Sequence, residues 1–418
     1  MSVIVIKAEF PAYGGSSLGR WNERVVMIKG ALPGETVEAA IEEEKKDYYT
    51  ASVKKILSPS PDRAEPECAY CNRCGGCTLQ YASHKGQIAL KEDILRDCLK
   101  RLARIEIDLS DPLIHHNPWN YRYRGQFKTG RGKIGFYREK TREIIDVEHC
   151  PLMSDDVNRF YQIVRGLLMR GSGLFHAINE IHISYGDSAV ALIKSASGGR
   201  NKAGHDHLLA RMLLEAGFSG AFIEDKNRRV SKFGKHYTTL GLEGIKYTVS
   251  PVSFFQSHWK LNQTVAKFIK DSLQPLEGKR VLDLYSGAGN FSLPVALHAA
   301  EVVAVEENPY AVEDGKRNLQ LNSITNCRFI RSSAENINIQ DDIHILILDP
   351  PRLGLSNKTM EKTLAMSPER IAYISCNPST LARDLKKLTI RYEIESVRMI
   401  DLFPQTYHIE SLIFLRPK

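Results

Sequence analysis

No run of apolar residues in this 418-residue chain approaches the roughly 20 needed to cross a bilayer as a helix. The opening Met1-Ser-Val-Ile-Val-Ile-Lys7 alternates as a strand would and lacks the basic start and cleavage site of a secretory signal. Internal repeats and low-complexity tracts are missing too. These absences set aside membrane and secreted classes and lead to the expectation of a cytoplasmic, monomeric protein with no membrane partner. In a reducing compartment the eight cysteines read as metal ligands or catalytic thiols, not as disulfides. Apolar and charged fractions of 43% and 25% are ordinary for a globular protein, and the length suits two or three domains. A formal net charge of +8 permits a polyanionic partner without proving one.

Residues 1–58 read as a small β-barrel. Strand-like runs at Val3–Ile6, Val25–Ile28, Thr36–Ile41 and Ala51–Ile56 alternate with turn signals such as Leu32-Pro33-Gly34. Ser58-Pro59-Ser60-Pro61 follows as a linker. Residues 59–245 hold a cysteine cluster and a strand-rich, basic stretch from Trp119 to Cys150. They also hold an amphipathic helix at 87–104, with Ile88, Leu95, Leu99 and Leu102 at helical spacing. That helix is the one part of the middle region expected to pack on the last domain. In residues 246–418, from about Val281, strands and helices alternate as in a doubly wound α/β sheet.

Val281-Leu-Asp-Leu-Tyr285 is a buried-type strand, and Ser286-Gly-Ala-Gly-Asn290 is the tight turn that opens a helix. Glycines there let backbone approach a ligand, and the helix start offers free N–H groups. Glu306 ends the next strand, where an acidic side chain can bind ribose hydroxyls. A nicotinamide enzyme has a similar layout, but Phe291 and Ser292 stand where its third glycine is expected. Asp349, in Asp349-Pro-Pro-Arg352, ends a third strand, either at the meeting of cofactor and substrate or as an ordinary turn.

Cys376 lies in Ile374-Ser-Cys-Asn-Pro378, in a loop after an apolar strand. Such a thiol is a nucleophile or a small buried hydrophobe. Glu410 precedes the strand Leu412–Leu415 and is a general base or a solvated loop residue. The pair suits methylation of a pyrimidine carbon. A thiolate added at C6 makes C5 nucleophilic, and a base then removes the C5 proton so that the thiol can leave.

Asp-Leu-Tyr-Ser-Gly-Ala-Gly-Asn-Phe291 resembles the S-adenosylmethionine loop of class I methyltransferases. Together with Leu-Asp-Pro-Pro-Arg352, Ile-Ser-Cys-Asn-Pro378 and Asp-Leu-Phe-Pro-Gln-Thr-Tyr-His-Ile-Glu-Ser411, it is similar to the RNA uracil-5-methyltransferase family. The resemblance implies Cys376 as nucleophile and Glu410 as base. It implies Tyr285, Asn290, Glu306 and Asp349 at S-adenosylmethionine, with Gln256 added through Ser253-Phe-Phe-Gln256. The family usually has Asn two positions after that Gln, and this chain has His258.

Cys68, Cys71, Cys74 and Cys77 form a C-x-x-C-x-x-C-x-x-C run, with Cys150-Pro151 far downstream. On spacing alone the run suits zinc or iron–sulfur. Resemblance to the ribosomal-RNA branch of the family implies a [4Fe–4S] cluster on Cys68, Cys74, Cys77 and Cys150, leaving Cys71 surplus. Cys98 and Cys327 read as packing residues.

The first module resembles a TRAM domain through Gly30-Ala-Leu-Pro-Gly-Glu35. Tyr121-Arg-Tyr-Arg124, Lys128, Arg131 and Lys133 put rings and cations together, either as a single-stranded RNA contact or as a solvated ribbon. The expected substrate is RNA, 23S ribosomal RNA ahead of transfer RNA, with the target base flipped out. A non-catalytic RNA-binding iron–sulfur protein is the rival from another class.

Overall fold

A computed structural model of the chain describes residues 2–170, 177–195, 202–338 and 342–418. The first six strands, from Val3–Lys7 to Tyr48–Ser58, form one sheet around Ile4, Ile6, Val26, Ile28, Val37 and Ala51. Gly19 lets the sheet curl on itself, because a Cβ there would lie 2.4 Å from the carbonyl oxygen of Lys7. Two of its strands, Phe10–Ala12 and Ser16–Trp21, carry too much Ser, Gly and Pro to be read from sequence. Glu35 is fully buried and accepts from the Leu32 and Ser60 amides at 2.8 and 3.1 Å and from Arg63 Nη2 at 2.6 Å. The Gly30–Glu35 motif thus ties the barrel to the linker that follows it.

A second sheet of seven strands runs in the order Ile144–Asp146, Lys133–Tyr137, Arg124–Gly130, Ile178–Tyr185, Ala189–Ser195, Gly220–Glu224, Val230–Gly234. Helices Asp155–Met169 and Lys202–Glu215 cover it, with Tyr161, Val164, Leu209 and Leu213 meeting Phe127, Ile181 and Ile193.

The third sheet has the order Cys327–Arg331, Glu301–Glu306, Arg280–Leu284, Ile345–Leu348, Arg370–Ser375, Glu410–Pro417, Tyr392–Ile400, Ser110–Leu113. Its strands pair in parallel except Glu410–Pro417, which is antiparallel to both neighbours. Apolar clusters cover both faces, as a parallel sheet requires. This is the doubly wound α/β sheet expected from the strand–helix alternation.

Two segments from the middle of the chain complete that sheet. The helix His84–Cys98 and the π-helical turn Leu99–Ala103 bury Ile94, Leu95, Cys98 and Leu99 against Leu346, Tyr373 and Leu381. Strand Ser110–Leu113 then covers what would be an open edge beside Tyr392–Ile400. Past the π-helical turn Leu102 is 47% exposed, while Gln87 and Lys91, on the α-helix before it, are buried. The hairpin Thr238–Leu242 and Ile245–Val249 straddles position 245 and packs on the same core. Among the described residues, no helix is long and apolar enough to cross a membrane.

Candidate active site

The carboxyl ends of the parallel strands open into a cleft of about 1070 Å³. Gln256, Tyr285, Glu306, Asp349, Cys376 and Glu410 all line it. That volume exceeds the usual small-ligand pocket and leaves room for two ligands side by side. The Gly-rich turn forms one wall. Tyr285, Gly287 and Gly289 take positive φ values of 66°, 56° and 97°, and a Cβ on Gly289 would press within 2.8 Å of Leu293. Glu306 braces the turn from the next strand, accepting from the Gly287 amide at 3.0 Å and the Asn308 amide at 2.8 Å. Asn290 stands apart from the cleft lining. Its amide is taken up by a reciprocal pair with Asn262, at 2.7 and 3.0 Å.

Cys376 and Glu410 meet through strand register. Ser375 is paired with Ser411 across antiparallel strands, so one further step along the same register sets Cys376 opposite Glu410. Burial, then Glu410 and Asp349, push the Cys376 thiol up to about 12, with Arg352 opposing. Burial and then Asp349 hold Glu410 well above the usual carboxylate range, opposed by Arg352 and Lys91. Burial and Glu306 raise Asp349 to about 7. Acids crowd the cleft, and each would ionise more readily beside a cationic ligand. Phe254 and Leu353, 66% and 79% exposed, add apolar surface to the same cleft.

A second cavity, of about 80 Å³, is lined by Cys68, Cys71, Cys74, Cys77 and Cys150 together with Arg122. Gly75 makes this possible, because a Cβ there would lie 2.9 Å from the Glu139 nitrogen and the Tyr137 oxygen. Burial pushes Cys77 up to about 12 and Cys150 up to about 11. Among the described residues, no three His, Cys, Asp or Glu side chains converge as one bound ion would require. Cys98 and Cys327 sit in the apolar cores of the catalytic sheet.

The Tyr121–Arg124 stretch is not an RNA-facing ribbon. Tyr121 is 1% exposed and donates to the Pro404 carbonyl at 3.0 Å. Arg124 donates to the carbonyls of Ser253 and Pro251 at 2.6 and 2.9 Å, holding the approach to Gln256. Arg131 and Lys133 remain exposed. Lys91 was not anticipated as a site residue. It is 1% exposed and bonds Asp401 at 2.7 Å, beside the loop that leads to Glu410. Gln87, Lys91 and Leu95 share one helical face, but the partner that lets Lys91 be buried, Asp401, is far away in sequence.

His258 caps the helix Trp259–Ser272, its Nδ1 accepting from the Leu261 amide at 3.3 Å. An Asn at this position would supply the same kind of cap, so the departure from the family pattern keeps the local function.

A family model described as tRNA (Uracil-5-)-methyltransferase matches residues 83–342 and 337–418, and a TRAM domain model matches residues 3–54. An Aquifex aeolicus protein named an uncharacterized RNA methyltransferase is 33% identical over 417 residues, covering 97% of this chain and 96% of that one. The 23S rRNA (uracil(1939)-C(5))-methyltransferase RlmD of Klebsiella pneumoniae is 31% identical over 416 residues, covering 96% of this chain and 92% of its own. In fold, the chain is similar to the Pyrococcus abyssi tRNA (uracil-54, C5)-methyltransferase solved with S-adenosyl-L-homocysteine. That likeness has a TM-score of 0.75 at 23% identity, over 99% of this chain and 100% of the other. The family match runs through the catalytic sheet and most of the sequence before it, and the chain belongs to the RNA uracil-5-methyltransferase family, with an N-terminal TRAM domain.

Proposed function

We propose that this enzyme methylates C5 of one uridine in 23S ribosomal RNA through a transient bond between Cys376 and C6 of the base. The observation that carries the reading is the register that sets Cys376 against Glu410 in the cleft of the Gly-rich turn. S-adenosylmethionine, when bound, supplies an electrophilic methyl group, and we assign Gln256, Tyr285, Glu306 and Asp349, which line the cleft, to hold it. The acid-rich wall suits its sulfonium and ammonium charges. Asn290 acts there only through Asn262 or the shape of its turn.

Cys376 Sγ, as thiolate, adds to C6 of the uracil, and the C5=C6 electron pair shifts to give an enolate with a nucleophilic C5. Once C5 is methylated, Glu410 accepts the C5 proton. The C5–H pair re-forms C5=C6, the C6–S bond breaks, and the thiolate is regenerated. The ribosomal substrate is supported by the 31% identity to RlmD across nearly the whole chain. A second reading, the same reaction on transfer RNA, is supported by the family description.

Five thiols lining one cavity of about 80 Å³ are a donor set that suits a [4Fe–4S] cluster. Cys68, Cys74, Cys77 and Cys150 are the ligands we assign, leaving Cys71 surplus on the same wall.

Incubation with S-adenosylmethionine and RNA containing 5-fluorouridine tests the mechanism. Fluorine cannot leave as a cation, so wild type should form a complex that survives a denaturing gel and Cys376→Ala should not. Equal behaviour of the two proteins would sink the reading. Sequencing the trapped RNA identifies the target uridine and separates ribosomal from transfer RNA.

A further inference from the structure

We propose that Thr78 is a positioning residue for Glu410, tying the loop that leads into this base's strand to the cysteine-bearing segment, so that order in the cysteine site is transmitted to the carboxylate. The inference rests on the reading of Cys376 and Glu410 given above. Between strands Tyr392–Ile400 and Glu410–Pro417 the chain makes a loop that brings Phe403, His408 and Glu410 into the cleft. From Asp401 to Tyr407, every hydrogen bond described from outside the loop involves residues 78–121, while His408, nearer Glu410, pairs with Arg352 of the catalytic domain at 3.2 Å.

Thr78 directly follows the proposed ligand Cys77. Its amide and that of Leu79 both donate to the Gln405 carbonyl at 3.0 Å, and its Oγ1 accepts from the Tyr407 amide at 2.9 Å. Two residues of the neighbouring helix clamp the same loop. Gln87 exchanges two bonds with Gln405, at 2.9 and 2.7 Å, and Lys91 holds Asp401 and the Phe403 carbonyl at 2.7 and 3.0 Å. The loop is therefore shaped less by its own strands than by the segment that begins at the cysteines. Glu410 begins the strand that follows this loop, so its aim depends on the segment that orders the loop as well as on its strand pairing with Ile400.

The order of the chemical steps makes this testable. Glu410 acts only after the bond to Cys376 has formed, so a misaimed base leaves adduct formation intact and slows its release. Thr78→Val removes the Oγ1 acceptor, keeps the volume and spares both backbone bonds. With ordinary uridine RNA and S-adenosylmethionine, Thr78→Val should lose about tenfold in kcat with an unchanged KM for RNA. It should also accumulate a protein–RNA adduct on denaturing gels that wild type clears. Trapping by 5-fluorouridine RNA and absorbance near 400 nm should match wild type, and Thr78→Ser should restore release. Gln87→Leu, which breaks a different clamp on the same loop, should accumulate the same adduct.

The proposal is overturned if Thr78→Val releases ordinary RNA at the wild-type rate, or if Thr78→Ser fails to rescue. It is also overturned if Thr78→Val has lost the 400 nm absorbance, since the fault then lies in the cysteine site itself. Failure of wild type to be trapped by 5-fluorouridine RNA overturns the underlying function instead, and is read in a separate lane.

Discussion

Cys376 sits among acids, and in the proposed mechanism its surroundings set the pH at which it would attack. Burial, Glu410 and Asp349 push it up to about 12, and Arg352 is the cation that opposes them. Below that pKa the thiolate fraction rises about tenfold per pH unit. Adduct formation with 5-fluorouridine RNA should therefore accelerate between about pH 7 and pH 9. Arg352→Gln removes the opposing charge, so it should raise the thiol pKa further and slow trapping by about tenfold near neutrality. A rapid-quench series across pH reads both effects, and a flat wild-type profile would count against a thiol-limited step. In the proposed mechanism Glu410 belongs to the second half of the reaction. Glu410→Gln should still be trapped by 5-fluorouridine RNA while its turnover on ordinary RNA drops by roughly 10²–10⁴-fold.

At the scale of elements, two contacts place the cofactor wall. Arg124, on the strand Arg124–Gly130, grips the carbonyls of Pro251 and Ser253. Arg124→Met strips two carbonyls of a charged donor, with an expected cost of about 2–4 kcal/mol in a urea melt and a raised KM for S-adenosylmethionine. His258 caps the helix Trp259–Ser272, and burial, aided by His115, pulls its pKa from 6.5 down to about 3. The unfolded chain takes up that proton near pH 6.5 and the folded chain does not. Stability from this residue is therefore complete above pH 6.5 and falls as pH drops toward about 3, by up to about 1.4 kcal/mol per unit. His258→Asn keeps a cap and does not titrate. The gap in urea midpoint between wild type and His258→Asn should then shift in the mutant's favour from about pH 7 to about pH 5.5, and an unchanged gap would contradict the buried neutral imidazole.

For the whole molecule, the cysteine cavity joins parts that are far apart in sequence, with Cys68–Cys77 ahead of the helix His84–Cys98 and Cys150 beside the seven-stranded sheet. Cross-linking such distant points removes freedom mainly from the unfolded chain. Cys150→Ser should lose the absorbance near 400 nm and about 2–5 kcal/mol of stability, by analogy with other long-loop cross-links. Cys71→Ser should keep both. Anaerobic purification with thermal melts distinguishes the two variants, and a reversed pattern would reassign the ligand set.

The sequence alone was sufficient for the α/β sheet and for the ends of its strands. Parallel strands buried on both faces leave unbroken apolar runs, and loops that carry chemistry break those runs at Gly287, Asp349 and Cys376. It did not show that Tyr121–Arg124 is an internal strut or that Lys91 faces a core, because burial of a cation depends on partners more than a hundred residues away. It also did not show the reciprocal pair that Asn290 makes with Asn262. Local pattern thus determined which residues could react and roughly where strands stop. Only the tertiary structure decided that Glu410 faces Cys376 and that the cysteine segment holds the loop between them, because register across antiparallel strands and hydrogen bonds between distant segments have no local signature.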